Sequence, residues 1–138
     1  MASDGSESTS DGILTAQEIY RLNLNADLIV LSACRSAGGR ITGDGLATFA
    51  RAFMYAGTPS LIASLWDVAD EPVNRLMPAF YRSWFAGASK ARSLRAAQLR
   101  FLSELRTGTV RVPSRAGVVV LSEDPMFWAG FLLIGEPD

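Results

Sequence analysis

The residues of this chain best suited to chemistry are a single cysteine, Cys34, and an adjacent pair, Trp66 and Asp67. Cys34 ends an unbroken apolar run and precedes the glycine-containing stretch 35–39. In an open parallel sheet, ligands and reactions gather at the carboxyl ends of the strands, so a lone cysteine in such a place is a candidate catalytic thiol. The competing interpretation is an inert buried side chain, since free cysteine is among the most buried residue types.

The chain contains no histidine. A thiol needs a base or a fixed positive field to become a thiolate near neutral pH. The group that activates Cys34 is therefore either something other than the usual imidazole or an imidazole that lies outside this chain.

Trp66 and Asp67 follow a second apolar run, which predicts that they emerge at the same edge of the sheet as Cys34. A tryptophan at the end of a strand either packs against the protein or forms the wall of a substrate site. Asp67 either contributes to the start of the next helix or pairs with a basic group of a substrate. The glycines near Cys34 lack the endings of the known nucleotide loops, and one cysteine without histidine supplies no zinc ligand set. We therefore expect neither a cofactor nor a metal.

The elements that must position these residues are two parallel strands with a helix between them. Residues 28–33 and 60–65 show no polar alternation, which is typical of strands covered on both faces. Residues 44–56 carry one apolar stripe of a helix, and a strand-helix-strand unit of this kind is parallel and right-handed. With a further strand at 127–134, the sequence predicts an α/β fold with parallel central strands and helices on both faces.

Local signals predict the remaining elements. Thr15 and Glu18 form a capping box, Asp70 is expected to cap a helix that bends at Pro78, and Ser89 is expected to cap the next helix. Two β-prone segments, 110–112 and 118–121, predict a hairpin. The cations of the helix after Ser89 are expected on a solvated face; they are Lys90, Arg92, Arg95, Arg100 and Arg106.

Composition limits the classes of partner. The formal net charge of −1 argues against nucleic acid and against an anionic membrane surface. A single cysteine excludes an internal disulfide and suits a cytoplasmic setting. Residues 1–11 are small and polar, so they predict a disordered tail rather than a secretory signal, and no apolar run reaches the length of a membrane span.

Several blocks of the sequence resemble the C-terminal half of a CHAT domain in their order and spacing. They are GILTAQEI at 12–19, ADLIVLSAC at 26–34, RAF at 51–53, ASLW at 63–66 and FWAGFLLIG at 127–135. CHAT domains are caspase-like cysteine peptidases of the clan of caspases and separases, often attached to tetratricopeptide repeats in bacterial proteins. The resemblance implies a partial caspase-like three-layer sandwich over residues 12–138.

The resemblance also implies roles for individual residues. Cys34 would be the nucleophile, preceded by Ser32, and Ser64, Trp66 and Asp67 would border the groove for a protein or peptide substrate. It implies a Cys-His dyad as well, and in the caspase signature the histidine lies about 50 residues before the cysteine, ahead of residue 1. The segment 35–37 departs from the Glu-Thr-Gly common in the family, which leaves the shape of the nucleophile loop open.

The sequence is compatible with two functions. The chain is expected to be the C-terminal fragment of a CHAT cysteine endopeptidase domain, inactive alone; the alternative is a non-catalytic caspase-like interaction module. Expected partners are a tetratricopeptide-repeat region or the complementary N-terminal half of the domain. If the histidine-bearing segment is missing, strand 28–33 should have an open edge, and exposed apolar edges favour self-association.

Overall fold

The computed structural model describes residues 14–32 and 43–138. The predicted tail at 1–11 and the loop that carries Cys34 lie outside the described residues. In chain order the described elements are α1 (Ala16–Ile19), β1 (Ile29–Leu31), α2 (Gly43–Tyr55), β2 (Ser60–Ser64), α3 (Asp70–Phe85), α4 (Lys90–Arg106), β3 (Arg111–Ser114), β4 (Gly117–Val120), α5 (Pro125–Trp128) and β5 (Phe131–Gly135).

The main sheet has three described strands in the order β1-β2-β5. β1 and β2 run parallel, with Leu31 beside Ala63, as the sequence predicts. β5 runs antiparallel along the other side of β2, with Ser64 beside Phe131. Within the described part of the chain β1 has a neighbour on one side only.

Helices cover both faces of this sheet because the side chains of β2 alternate between two cores. Leu61 and Ala63 pack with the buried side of α2 and with Ile19 of α1. Ile62 points to the opposite face, where it joins the core formed by α3 and α4. The described residues therefore form a mixed α/β fold with helices on both faces of the sheet.

The larger core depends on the contact between α3 and α4. Leu76 and Phe80 of α3 are fully buried, and Phe101 and Leu105 of α4 are nearly so. Truncating a buried phenylalanine such as Phe80 to alanine typically costs about 3–5 kcal/mol.

An ion-pair network adds a polar link between the same two helices. Arg75 donates to Glu71 at 2.6 Å and to Glu104 at 3.1 Å. These two carboxylates, Glu71 foremost, raise the pKa of Arg75 above its usual value. The guanidinium therefore stays charged throughout the pH range in which proteins are studied.

The prediction of a third strand at 127–134 is wrong for the first half of that segment. Pro125–Trp128 forms the short helix α5, and β5 begins only at Phe131. The Asp124 side chain accepts a hydrogen bond from the Met126 amide at 2.9 Å, and Pro125 supplies a backbone angle suited to the first helical turn. These capping effects outweigh the β propensity of the aromatic residues that follow.

The helix starts are predicted correctly at two of three places. Thr15 forms a complete capping box with Glu18, and Ser89 accepts a hydrogen bond from the Arg92 amide. Asp70 does not cap α3: Ala69 occupies that position without a side-chain bond, and Asp70 is the first helical residue. An acid in the first turn still favours the helix because it faces the positive end of the helix dipole.

Two further expectations concern the second half of the chain. The hairpin is confirmed, with β3 and β4 antiparallel and Val112 beside Val119. Lys90 is not on a solvated face: it is 5% exposed, its Nζ donates to the backbone oxygen of Asp138, and it lies 5.8 Å from the centre of the Trp84 ring. A lysine whose ammonium group has these contacts can be buried with its charge satisfied.

Among residues 14–32 and 43–138, no helix combines the length and the apolar character that crossing a membrane requires.

Candidate functional site

The candidate site is the edge of the sheet at which the two parallel strands end. Leu31 is the last residue of β1 and lies beside Ala63, so Ser32 and Ser64 both follow at this edge. The Ser64 hydroxyl donates to the Leu31 carbonyl at 3.4 Å. This long hydrogen bond links the ends of the two strands and positions the backbone from which residue 32 continues.

Cys34 itself lies outside the described residues, as do its neighbours 33 and 35–42. Ser32, two residues earlier, is exposed. The structure therefore gives the position from which the chain leaves β1 toward Cys34.

Trp66 stands two residues beyond the end of β2 and has both a packed and an exposed side. Its indole Nε1 donates to the Met126 carbonyl at 2.9 Å, while the residue is 37% exposed. The two interpretations of this tryptophan are therefore compatible, because the hydrogen bond fixes the orientation of a ring that is still accessible to a ligand.

Gly130, the residue before β5, lies so close to the Trp66 segment that its position requires a glycine. A Cβ atom on Gly130 would lie 2.6 Å from Val68 Cγ2 and 3.3 Å from the Trp66 Nε1. The Gly130 carbonyl also accepts a hydrogen bond from the Leu65 amide at 2.8 Å. The turn between α5 and β5 therefore packs closely against the segment that carries Trp66.

Asp67 is exposed beside Trp66. It is not the cap of α3, since Ala69 holds that position, and it forms no hydrogen bond or ion pair with the described part of the chain. Its carboxylate is accordingly accessible at the same edge as Ser32, Ser64 and Trp66.

Sequence reasoning missed the supporting role of residues 126 and 130. Met126 lies in α5 and Gly130 follows its C-cap residue, in a region that the sequence predicts to be mainly a strand. The signal that could have identified them is Asp124-Pro125, a helix-start pair, together with one glycine inside an otherwise apolar segment.

No group of three or more potential metal-ligating side chains occurs within residues 14–32 and 43–138.

The CHAT domain family matches residues 1–136, so the chain belongs to the CHAT domain family. It is 35% identical over 124 residues to Tetratricopeptide repeat protein 28 of Mus musculus, a match that covers 90% of this chain and 4% of that protein. It is 33% identical over 141 residues to Tetratricopeptide repeat protein 28 of Homo sapiens, covering 98% of this chain and 5% of that protein.

The chain thus spans 4–5% of the length of these curated relatives. Both relatives are mammalian, whereas the sequence analysis associated the family with bacterial proteins. No solved structure matches the chain.

Proposed function

We propose that this chain is the nucleophile-bearing part of a caspase-like CHAT domain and that the complete domain is a cysteine endopeptidase. In this proposal Cys34 is the nucleophile, and Ser32, Ser64, Trp66 and Asp67 border the substrate groove. The described helices on both faces of a partly parallel sheet are compatible with a caspase-like three-layer sandwich.

One observation carries the proposal: β1 and β2 end side by side at one edge of the sheet. The chain continues from β1 toward Cys34 at that edge, and from β2 toward Trp66 and Asp67. Open parallel sheets bind ligands and perform chemistry at such carboxyl ends. In this proposal a thiol, an aromatic surface and a carboxylate act together at that edge.

The proposed reaction is acyl transfer to the Cys34 sulfur. The thiolate attacks the scissile carbonyl carbon, the carbon–nitrogen bond breaks, and the departing amine takes a proton from the conjugate acid of the base. Water then attacks the thioester, so that the new carboxyl terminus is released and the thiol is regenerated.

The base of this reaction comes from outside the chain, which contains no histidine. We propose that an imidazole on a neighbouring strand completes the site and that this strand belongs beside β1, whose second edge is unpaired within the described residues. The isolated chain is then catalytically silent. The tetratricopeptide-repeat region named in the relatives, or a complementary half-domain, is the proposed partner, and the single thiol suits a reducing, cytoplasmic setting.

A second candidate is a non-catalytic interaction module. The absence of histidine from all 138 residues favours it, since a docking surface needs no base. In this alternative the edge of β1 that has no described neighbour receives a partner strand, and Cys34 is an ordinary thiol.

Affinity labelling of Cys34 separates the two candidates. The full chain is treated with a tripeptide chloromethyl ketone and, separately, with iodoacetamide. For each reagent, the rate at which it alkylates Cys34 is divided by the rate at which the same reagent alkylates glutathione. A peptide groove beside the thiol predicts a ratio at least about tenfold higher for the peptide reagent, since tenfold corresponds to about 1.4 kcal/mol of binding. An interaction module without a groove predicts equal ratios, which would overturn the peptidase proposal.

Three variants control this experiment. Cys34→Ser should take no label. Trp66→Ala should remove most of the preference of Cys34 for the peptide reagent. Tyr55→Ala should leave it unchanged, because Tyr55 is a 77% exposed aromatic residue at the end of α2, away from the edge where β1 and β2 end.

A further inference from the structure

Helix α3 carries a row of partly exposed apolar side chains in addition to those buried against the sheet and α4. Val73, Met77 and Tyr81 are partly exposed, and Phe85 is 77% exposed. These four residues are spaced four apart, so they form one ridge, the α3 ridge, along about 18 Å of the helix. The Cys34 edge and its chemistry do not account for this surface.

The contacts between α3 and α4 show in which direction the α3 ridge points. Arg75 pairs with Glu104 of α4, and the Ser83 hydroxyl accepts a hydrogen bond from the Ser93 hydroxyl of α4 at 3.1 Å. Side chains two positions apart on a helix point about 200° apart, since a turn contains 3.6 residues. Each ridge residue stands two positions from Arg75 or from Ser83, so the α3 ridge points away from α4.

The α3 ridge lies on the side of the sheet where β1 is the outermost described strand. α4 lies against β5, because the side-chain amide of Gln98 in α4 donates to the Phe131 carbonyl of β5 at 3.0 Å. β5 and β1 are on opposite sides of β2, and Val30 of β1 packs against the core to which α3 contributes. α3 is therefore the helix nearer to β1, and its ridge points beyond the edge at which β1 has no described neighbour.

The residues of this chain outside the described ranges lack the side chains to cover the α3 ridge. Among large apolar side chains, residues 1–13 contain one methionine and one isoleucine, and residues 33–42 contain one isoleucine. A contiguous apolar surface that is left partly exposed is typical of a protein–protein contact. We therefore look for the occupant beyond these residues, and the curated relatives have ample further sequence, since the chain spans 4–5% of their length.

We infer that the α3 ridge is the seat of a helix that accompanies a parallel strand beside β1. The inference rests on one part of the proposed function, the added strand, and not on the chemistry of Cys34. A parallel strand needs crossover connections, which are usually helices packed on a face of the sheet. On the face covered by α3 and α4, the next place for such a helix is beside α3 on the side away from α4, where the ridge lies.

The α3 ridge also defines the kind of helix that fits. Ridges of residues four apart interlock when two helices cross at about 50°. The α3 ridge contains no charged residue, so the partner helix should present apolar side chains at the same spacing. Tyr81 and Phe85 stack with their ring centroids 5.7 Å apart, which orders the aromatic end of the ridge before the partner binds and lowers the entropy cost of binding.

Calorimetric titration with a segment of a relative tests the inference. The histidine of a caspase signature precedes the cysteine, so the probe is the segment of mouse Tetratricopeptide repeat protein 28, about 150 residues or one domain long, directly before the region matched by this chain. The full chain should bind this probe, and Phe85→Ala should weaken binding at least tenfold, as expected for an aromatic side chain in an interface. Tyr55→Ala is the matched control and should leave binding unchanged, because Tyr55 is also 77% exposed at the end of a helix, α2, on the opposite face of the sheet. Absence of binding by the parent chain, or equal effects of the two variants, would overturn the inference.

Sedimentation of the chain alone tests the competing occupant, a second copy. A dimer that Phe85→Ala dissociates and Tyr55→Ala leaves intact would assign the α3 ridge to self-association and contradict the inference. An unchanged thermal midpoint of Phe85→Ala shows that the fold persists. The affinity labelling of Cys34 is independent of both experiments: equal labelling ratios overturn the peptidase proposal and leave the helix seat standing, whereas equal binding of the probe by the parent chain and Phe85→Ala overturns the helix seat alone.

Discussion

At the scale of single residues, Trp66 connects the proposed substrate groove to the rest of the fold. Its indole is held by the Met126 carbonyl at 2.9 Å, and Gly130 leaves the space that the ring occupies. The sequence predicted the location of Trp66 at the end of a strand but not these contacts. They join residues 60 or more positions apart along the chain, and no local pattern specifies such a distance.

The buried hydroxyl of Thr58 gives a prediction about stability. Thr58 is 1% exposed, and its Oγ1 has no hydrogen-bond partner in the described structure. Replacing a buried unsatisfied hydroxyl with a group of the same shape removes its desolvation penalty. Thr58→Val should therefore raise the free energy of unfolding by about 1 kcal/mol, measured by urea denaturation.

A neighbouring serine is the control for this substitution. The Ser60 hydroxyl is equally buried but donates to the Glu136 carbonyl at 2.8 Å. Ser60→Ala should lower the free energy of unfolding by about 1 kcal/mol, since it leaves that carbonyl without its donor. A loss of stability in Thr58→Val would show that its hydroxyl does have a partner.

At the scale of elements, local signals predicted where most helices and strands lie. The sequence predicted the apolar stripe of α2, the caps of α1 and α4 and the hairpin correctly. Each of these features depends on residues that are close together along the chain. The strand prediction at 127–134 is wrong in its first half because Asp124-Pro125 starts a helix despite the aromatic and branched residues that follow. Capping decides the first turn of a short helix, whereas β propensity acts only once a partner strand is present.

Two glycines at helix ends allow the cost of a steric clash to be separated from the cost of backbone strain when each glycine is replaced by alanine. Gly57 and Gly87 follow α2 and α3 with φ angles of 108° and 99°. A Cβ on Gly57 would lie 2.5 Å from the Leu24 carbonyl oxygen, whereas a Cβ on Gly87 would meet nothing within 4 Å. Both alanine variants carry the strain of a left-handed residue, but only Gly57→Ala also collides with a backbone atom.

Gly87→Ala should therefore cost about 1 kcal/mol of stability, and Gly57→Ala about 1–3 kcal/mol more. Thermal or urea unfolding of the two variants measures the difference directly. Equal losses would indicate that the segment around Leu24 moves away from α2 without cost.

At the scale of the whole molecule, the described sheet combines a core covered on both faces with a strand, β1, that has one described neighbour. The chain spans 4–5% of the length of its relatives. The parallel pairing of β1 and β2 followed from the strand-helix-strand pattern. The antiparallel position of β5 beside β2 did not follow from it, because strand order depends on pairing between residues 67 to 75 positions apart rather than on local sequence.

The central claim is that Cys34 lies beside Trp66 at the edge where β1 and β2 end. A bimane fluorophore attached to Cys34 tests it most directly, since tryptophan quenches bimane only near contact. Trp66→Phe should restore the fluorescence, while Trp84→Phe and Trp128→Phe, made as matched controls, should leave the quenching in place. Fluorescence that is unquenched in the parent chain, or restored by Trp84→Phe instead, would contradict the claim.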